Sequence, residues 1–267
     1  MNSLVREFFK VGSGEAPHFQ EVVFLSETRL SWEEASRKAP DLPRGWFELS
    51  SLSTEDRIEF TRDFWLDRLS FNPAAYPLFI EFFDRLDDVG VVLSRTREDE
   101  PLTAEIVYSL RDSGSFFRGQ PPAEERDLQD LKREIPLTLP RDYLRFFKIH
   151  NGFGKLSEMG LLKVEDIVEA RERVSELLLK ANHPVRSSGR LVDPGALVPF
   201  YEAIGLSSYQ CFYADWYPGS EMGNVYLSGI DYTISERSEK KAWAENLAFA
   251  TFSEWLAYYL QGMNISP

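Results

Sequence analysis

Two runs in this chain do not repeat with a helical period. Residues 89–95 read VGVVLSR and residues 103–110 read TAEIVYSL. Both are rich in β-branched residues, which keep their preferred rotamers and pack well on a pleated surface. The polar segment TREDEPL lies between them, so the pair predicts an antiparallel hairpin. A hairpin by itself is marginal in water and needs more strands or a helix against its apolar face. The flanking sequence supplies helices, and the predicted class is therefore α+β.

Residues 1–30 predict a short helix, a Gly-rich turn (VGSGEAP) and an apolar strand (EVVFL). Ser31 followed by Glu34 has the spacing of a capping box and opens a helix that ends near Pro40. Residues 41–52 contain a Pro-Gly turn and no clear period. Ser53-Thr54-Glu55-Asp56 starts another helix, with Ile58, Phe64, Trp65 and Leu69 as its apolar stripe. Asn72-Pro73 opens the next, which continues through PLFIEFFDRL. After the hairpin, DSGSFFRGQPP reads as a linker. It places a boundary at Pro121-Pro122, giving an N-terminal region of residues 1–121 and a C-terminal domain of residues 122–267.

The C-terminal part predicts helices over residues 122–134, 141–150 and 164–182 and a loop over 183–195. Strands follow in ALVPF, YQCFYADW and NVYLSGI, and the helix TFSEWLAYYL closes the fold. The charges of helix 164–182 recur at i, i+4 and indicate a solvated face. Alternation along YQCFYADW puts Tyr209, Cys211, Tyr213 and Asp215 on one face, and Gln210, Phe212, Ala214 and Trp216 on the other.

Net charge is −13 over 267 residues. Residues 1–120 carry 14 basic and 22 acidic side chains, and residues 121–267 carry 16 and 21. Neither half offers the basic footprint that phosphate backbones or anionic lipid require, so neither nucleic acid nor membrane is an expected partner. The N-terminal MNSLVREFFKVGSG lacks the apolar core of a secretory signal, and no apolar run is long enough to cross a bilayer. A cytoplasmic location is expected.

Little in the sequence points to catalysis. The single cysteine, Cys211, together with His150 and Asn151, supplies the residue types of a Cys-His-Asn hydrolase. However, a cysteine in mid-strand is usually a small core hydrophobe. A pocket around Cys211, Tyr213 and Asp215 defines the alternative reading, a small-molecule sensor or cysteine-dependent hydrolase. The three histidines are scattered, and neither a metal nor a cofactor is expected. In LPRDYLRFFKIHNGFG, residues 139–154, Asn151-Gly152 suits the left-handed turn that ends a helix, and His150 suits its negative end.

This stretch also carries a family signature. Leu139-Pro140, Asp142-Tyr143, Phe146 and Asn151-Gly152 resemble the opening motif of the SUKH superfamily, the SMI/KNR family of fungal cell-wall regulators and bacterial toxin-immunity proteins. Later segments agree in order: Leu161-Leu162 with Val164-Glu165-Asp166-Ile167, Leu197 to Phe200, Tyr209 to Asp215, Gly223 to Tyr226, and Phe252 to Leu256. The resemblance covers about residues 122–262. It implies an antiparallel sheet surrounded by helices, preceded here by a mainly helical extension carrying the hairpin. It also implies a non-enzymatic protein-binding role, as an immunity protein or a regulatory scaffold, with a basic toxin domain as one form of partner. Asp215, Trp216 and Tyr217, at the end of a central strand, form the expected contact surface, with Tyr213 and Glu202 beside them; the alternative is that Trp216 packs in the core and Asp215 caps the turn.

Overall fold

A computed structural model describes residues 1–10, 19–111, 115–156, 160–180, 186–187, 190–203, 208–214, 224–228, 233–234 and 249–261. They fall into two compact units. The first comprises Met1–Asp67, Ile80–Pro122 and Phe153–Met159; the second comprises Arg68–Phe79, Ala123–Gly152 and Gly160–Pro267.

The first unit is built on a five-stranded antiparallel meander. Its strands, in chain order and in spatial order, are β1 (Glu21–Phe24), β2 (Leu86–Arg95), β3 (Thr103–Leu110), β4 (Phe116–Gly119) and β5 (Phe153–Lys155). The predicted hairpin is the β2–β3 pair, in register from Ser94↔Thr103 to Leu86↔Leu110 with one irregularity near Asp88. The segment read as a linker contains β4. Phe116 and Phe117 are both fully buried, and β4 pairs with β3 on one side and β5 on the other. A strand buried on both faces shows no alternation, and the flanking glycines disguised it.

The helices of this unit are α1 (Ser3–Phe8), α2 (Trp32–Lys38), α3 (Arg44–Leu49), α4 (Thr54–Arg68) and the residues from Ile80 onward of α5 (Tyr76–Asp84). The predicted capping box opens α2: the Glu34 N–H donates to Ser31 Oγ, and the Ser31 N–H donates back to the Glu34 carboxylate. The Ser31 N–H, and after it the Ser31 side chain, holds the Glu34 carboxyl below its ordinary value. α3 occupies the stretch that showed no period; it has no side-chain cap, and Pro43 precedes it. α5 begins at Tyr76 rather than Pro73, because the Asn72 side chain accepts from the N–H groups of Ala74 and Ala75 and forms a turn first.

Successive residues of a strand point to opposite faces, and both faces of this sheet are covered. On one, Trp65, Phe82, Phe83, Tyr108, Phe117 and Phe153 form an aromatic cluster, with Trp65 Nε1–H donating to Tyr108 Oη at 3.0 Å. On the other, Val5, Phe9, Phe19, Val92, Val107 and Phe116 pack together. The buried side of α4 differs from the stripe expected: Arg57 and Thr61 lie there with Trp65, while Ile58 and Phe64 are half-buried. Arg57 is accommodated because it donates to Asp88 Oδ1, the Val89 carbonyl and the Leu52 carbonyl, each at 2.7 Å. Its charge and donors are therefore matched inside the core.

The second unit holds a four-stranded antiparallel sheet in the order β11 (Thr233–Ile234), β10 (Asn224–Ser228), β9 (Ser208–Tyr213) and β8 (Leu197–Ala203). A short pair, β6 (Arg186–Ser187) and β7 (Arg190–Leu191), lies within the predicted loop. The helices are α6 (Glu125–Glu134), α7 (Arg141–Phe146), α8 (Ile167–Lys180), entered through a 3-10 turn at Val164–Asp166, and a closing helix, α9 (Phe252–Leu260). The predicted alternation holds from Tyr209 to Tyr213; Ala214, expected on the face of Phe212, packs instead with the Cys211 cluster, and Asp215 and Trp216 lie outside the described residues. Tyr209, Cys211 and Tyr213 pack with Val174 and Leu178 of α8. Phe212 faces the other way, with its ring centroid 4.9 Å from Tyr143 and 4.4 Å from Phe200.

Candidate binding surface

The signature at residues 139–152 folds into α7 and its exit turn. Pro140 caps the helix, and Leu139, Tyr143 and Phe146 are buried. Tyr143 sits at the centre of an aromatic cluster with Phe147, Phe200, Phe212 and Phe252, and burial pushes its phenol well above the ordinary value. Gly152 has φ 95°, the left-handed conformation expected of it. His150 is buried, its backbone N–H completes the helix end on the Phe146 carbonyl, and its ring meets Phe146 edge-on.

Two polar residues of the signature act as long-range braces. Asp142 is buried. Its Oδ2 accepts from both the backbone N–H and the hydroxyl of Ser253, each at 2.8 Å, and its Oδ1 accepts from the Tyr143 N–H. The carboxylate thus lies on the N-terminal turn of α9, where the helix dipole favours a negative charge. Asn151 accepts from the Val164 N–H at 2.8 Å and donates to the Glu165 carboxylate at 2.9 Å, fixing the entry to α8. The motif is therefore structural: its side chains tie α7 to the beginnings of α8 and α9.

Of the residues expected to contact a partner, Asp215, Trp216 and Tyr217 lie outside the described residues. Tyr213 is a correction. It is buried against α8 rather than presented at the surface, because α8 covers the face of β9 that it shares with Cys211. Glu202 is half-buried; it accepts from Arg173 Nη2 at 3.1 Å and from the Tyr209 hydroxyl at 3.2 Å. Burial and the neighbouring Glu202 raise the Tyr209 phenol.

Cys211 is fully buried, and burial raises its thiol far above the ordinary value, so the nucleophilic thiolate is suppressed. The Asn151 amide that a hydrolase would use to orient a base is committed to Val164 and Glu165. We expect Cys211 to resist a small thiol reagent at pH 8 in the native protein and to react within seconds once urea unfolds the chain. Rapid stoichiometric labelling without denaturant would show the burial to be wrong. Among the described residues no group of three His, Cys, Asp or Glu side chains could hold a metal ion, and no helix is long and apolar enough to cross a membrane.

A recess of about 290 Å³ opens beside α7. Its walls are residues 70–72, Pro140 to Asp142, and Ala250, Thr251 and Ser253. Phe71 stands at its rim, 74% exposed, with Tyr76 in ring contact at 5.4 Å. Arg145 Nη1 donates to Ser70 Oγ at 2.8 Å. None of Phe71, Tyr76 and Arg145 stands out in the sequence: Phe71 reads as one more aromatic beside a helix start, and which aromatics a fold leaves uncovered is decided by tertiary packing. A larger groove of about 660 Å³ follows α8, lined by Glu134, Arg171, Glu172, Glu176 and Leu179 among others. It matches the solvated face expected there, with Arg173–Glu169 and Lys180–Glu176 pairs along the helix.

A helix whose polar residues brace the rest of the fold, set against a short antiparallel sheet and a closing helix, defines a compact α+β module with aromatic packing at its centre. Residues 122–258, just over half of the chain, match the SMI1 / KNR4 family (SUKH-1). The chain belongs to that family. A 56-residue stretch is 30% identical to the uncharacterized protein YnaB of Bacillus subtilis (strain 168), and covers 21% of this chain and 39% of that relative.

Proposed function

We propose that this chain is a non-enzymatic, cytoplasmic protein-binding module: an immunity protein that neutralises a toxin domain, or a regulatory scaffold of the SMI/KNR kind. Family membership supports the reading at its coarse level. The observation that carries it further is the use made of the signature. Asp142, Asn151 and Gly152 hold helices in place and do not converge on a reacting centre. Polar side chains committed to the framework are not free for chemistry, so the reading assigns recognition to other surfaces. Asp215, Trp216 and Tyr217, with Glu202 of β8, are the proposed contacts.

The charge of −13 favours a basic partner, such as a toxin domain that acts on nucleic acid, by steering its approach. The test is affinity capture from a lysate of the protein's own source, beside an Asp215→Ala/Trp216→Ala variant of equal melting temperature. We expect one protein to be retained in stoichiometric amount by the wild type and lost by the variant. With that partner purified, raising salt from 20 to 500 mM should slow association ~10-fold. A rate indifferent to salt would remove the steering argument, and capture of no protein would remove the reading.

A further inference from the structure

We propose that the outward face of α4 is a docking site for an arginine side chain in a basic segment of a protein partner. The inference rests on the protein-binding reading and gives the first unit a part in it. At about 100° per residue, Asp56, Phe60, Asp63 and Asp67 stand at i, i+4, i+7 and i+11 and form one row along the helix. All four are exposed, Phe60 by 58%. The buried side of the same helix is largely polar: Arg57 and Thr61 lie there with Trp65. α4 therefore turns a phenylalanine to solvent and an arginine to the core, the reverse of an ordinary surface helix. The row stands on a fixed support. Arg57 donates to Asp88 Oδ1 and to the Val89 carbonyl on β2, and the Asp56 N–H donates to Ser53 Oγ at the first turn. Such pre-organisation lowers the ordering cost of binding.

Charge and ring chemistry together select the occupant. A single exposed aromatic needs no explanation, but this one has carboxylates before and after it in the row. Glu55 and Glu59 are exposed as well, so α4 turns five carboxylates to solvent. Glu55/Glu59, Glu59/Asp63 and Asp63/Asp67 are like charges at i, i+4, an arrangement that weakens a helix by itself. Arg62 offsets part of this, with Nε 3.0 Å from Asp63 Oδ1 and Nη2 3.4 Å from Glu59 Oε1. Its partners are exposed, so these pairs are weak and can be exchanged. Arg68, in the last turn, lies about 100° round the helix from Asp67. Asp56 gives one oxygen to Ser53 Oγ at 2.7 Å. The second oxygens of Asp56 and Asp63, and the whole Asp67 carboxylate, have no donor among the described residues. A guanidinium can lie flat on the Phe60 ring while its edge N–H groups reach the carboxylates on either side. Lysine lacks the plane and the fork. An acidic segment would meet like charge, and an apolar one would strip water from the carboxylates without replacing it.

The test is to pan a displayed library of random peptides on the full chain, in parallel with a Phe60→Ala/Asp63→Asn variant. Panning is done at physiological salt, where exposed charges more than ~8 Å apart are largely screened. Both replaced side chains are exposed, so the variant should keep the wild-type melting temperature. A Phe60→Tyr chain, which preserves the ring, serves as a second control and should retain most binding. The peptides enriched on the wild type are expected to carry Arg. A representative synthetic peptide should lose ~10-fold or more in affinity for the double variant, as removal of an anchor does. Replacing its Arg by Lys should weaken binding to the wild type by ~3-fold or more. Enrichment of peptides without Arg, equal binding to wild type and double variant, Lys serving as well as Arg, or no enrichment would each overturn the proposal. If a captured partner binds the double variant unchanged, this surface is excluded while the protein-binding reading stands; if neither partner nor peptide binds, both fall.

Discussion

Glu105→Ala is expected to destabilise the protein by ~3–5 kcal/mol, the cost of leaving a buried charge without its counter-ion. Glu105 on β3 and Arg118 on β4 lie on one face of the five-stranded sheet, both buried. Arg118 Nη1 donates to the two carboxylate oxygens at 3.0 and 2.9 Å, Nε donates to the Leu156 carbonyl, and the guanidinium lies 4.7 Å from the Phe8 ring centre. Removal of the carboxylate takes away the counter-ion that lies within 3.0 Å of a buried cation. Replacement of both residues by apolar ones of similar size, Glu105→Leu with Arg118→Met, should recover most of the loss, because the pair's own desolvation cost disappears with it. Urea unfolding of the two variants checks this. A Glu105→Ala loss below ~1 kcal/mol, the value of an exposed pair, would show that the pair is solvated.

Asp142→Ala should cost ~2–4 kcal/mol, since the buried Ser253 N–H and hydroxyl both lose a charged acceptor. Asp142→Asn should cost less: it keeps one carbonyl oxygen for the Ser253 N–H but loses the negative charge on the α9 terminus. Chemical denaturation supplies both numbers. The two variants should also differ locally, with Asp142→Ala speeding hydrogen exchange in the first turn of α9 more than in the sheet. A loss no larger than that of a surface substitution would show that the carboxylate is not a brace.

These contacts mark what could and could not be read from the chain. The β2–β3 hairpin, the Ser31–Glu34 capping box, the two faces of β9 and the Asn151-Gly152 turn are local patterns, so residue types and spacing revealed them. The Asp142–Ser253 brace joins residues 111 apart, and nothing in either segment names the other. β4 escaped because four residues, two Phe, an Arg and a Gly, all buried with no polar-apolar alternation, resemble a linker as much as a strand. Arg57 occupies the buried face of α4 because Asp88, on β2, is there to receive it, and that pairing is tertiary. The candidate surface was less legible still. The exposure of Phe71 depends on what the fold leaves uncovered, and the burial of Tyr213 follows from the strand phase that also buries Cys211.

If the family signature holds the fold and recognition lies on other surfaces, replacing a signature residue should weaken the fold and spare binding. The most direct measurement is the Kd of the captured partner for an Asn151→Ala chain, taken at a temperature where that chain is fully folded. We expect a lowered melting temperature, because the Val164 N–H loses its acceptor, with a Kd unchanged within experimental scatter. A Kd weakened ~10-fold or more in a fully folded Asn151→Ala chain would contradict it, because the signature itself would then be part of the binding site.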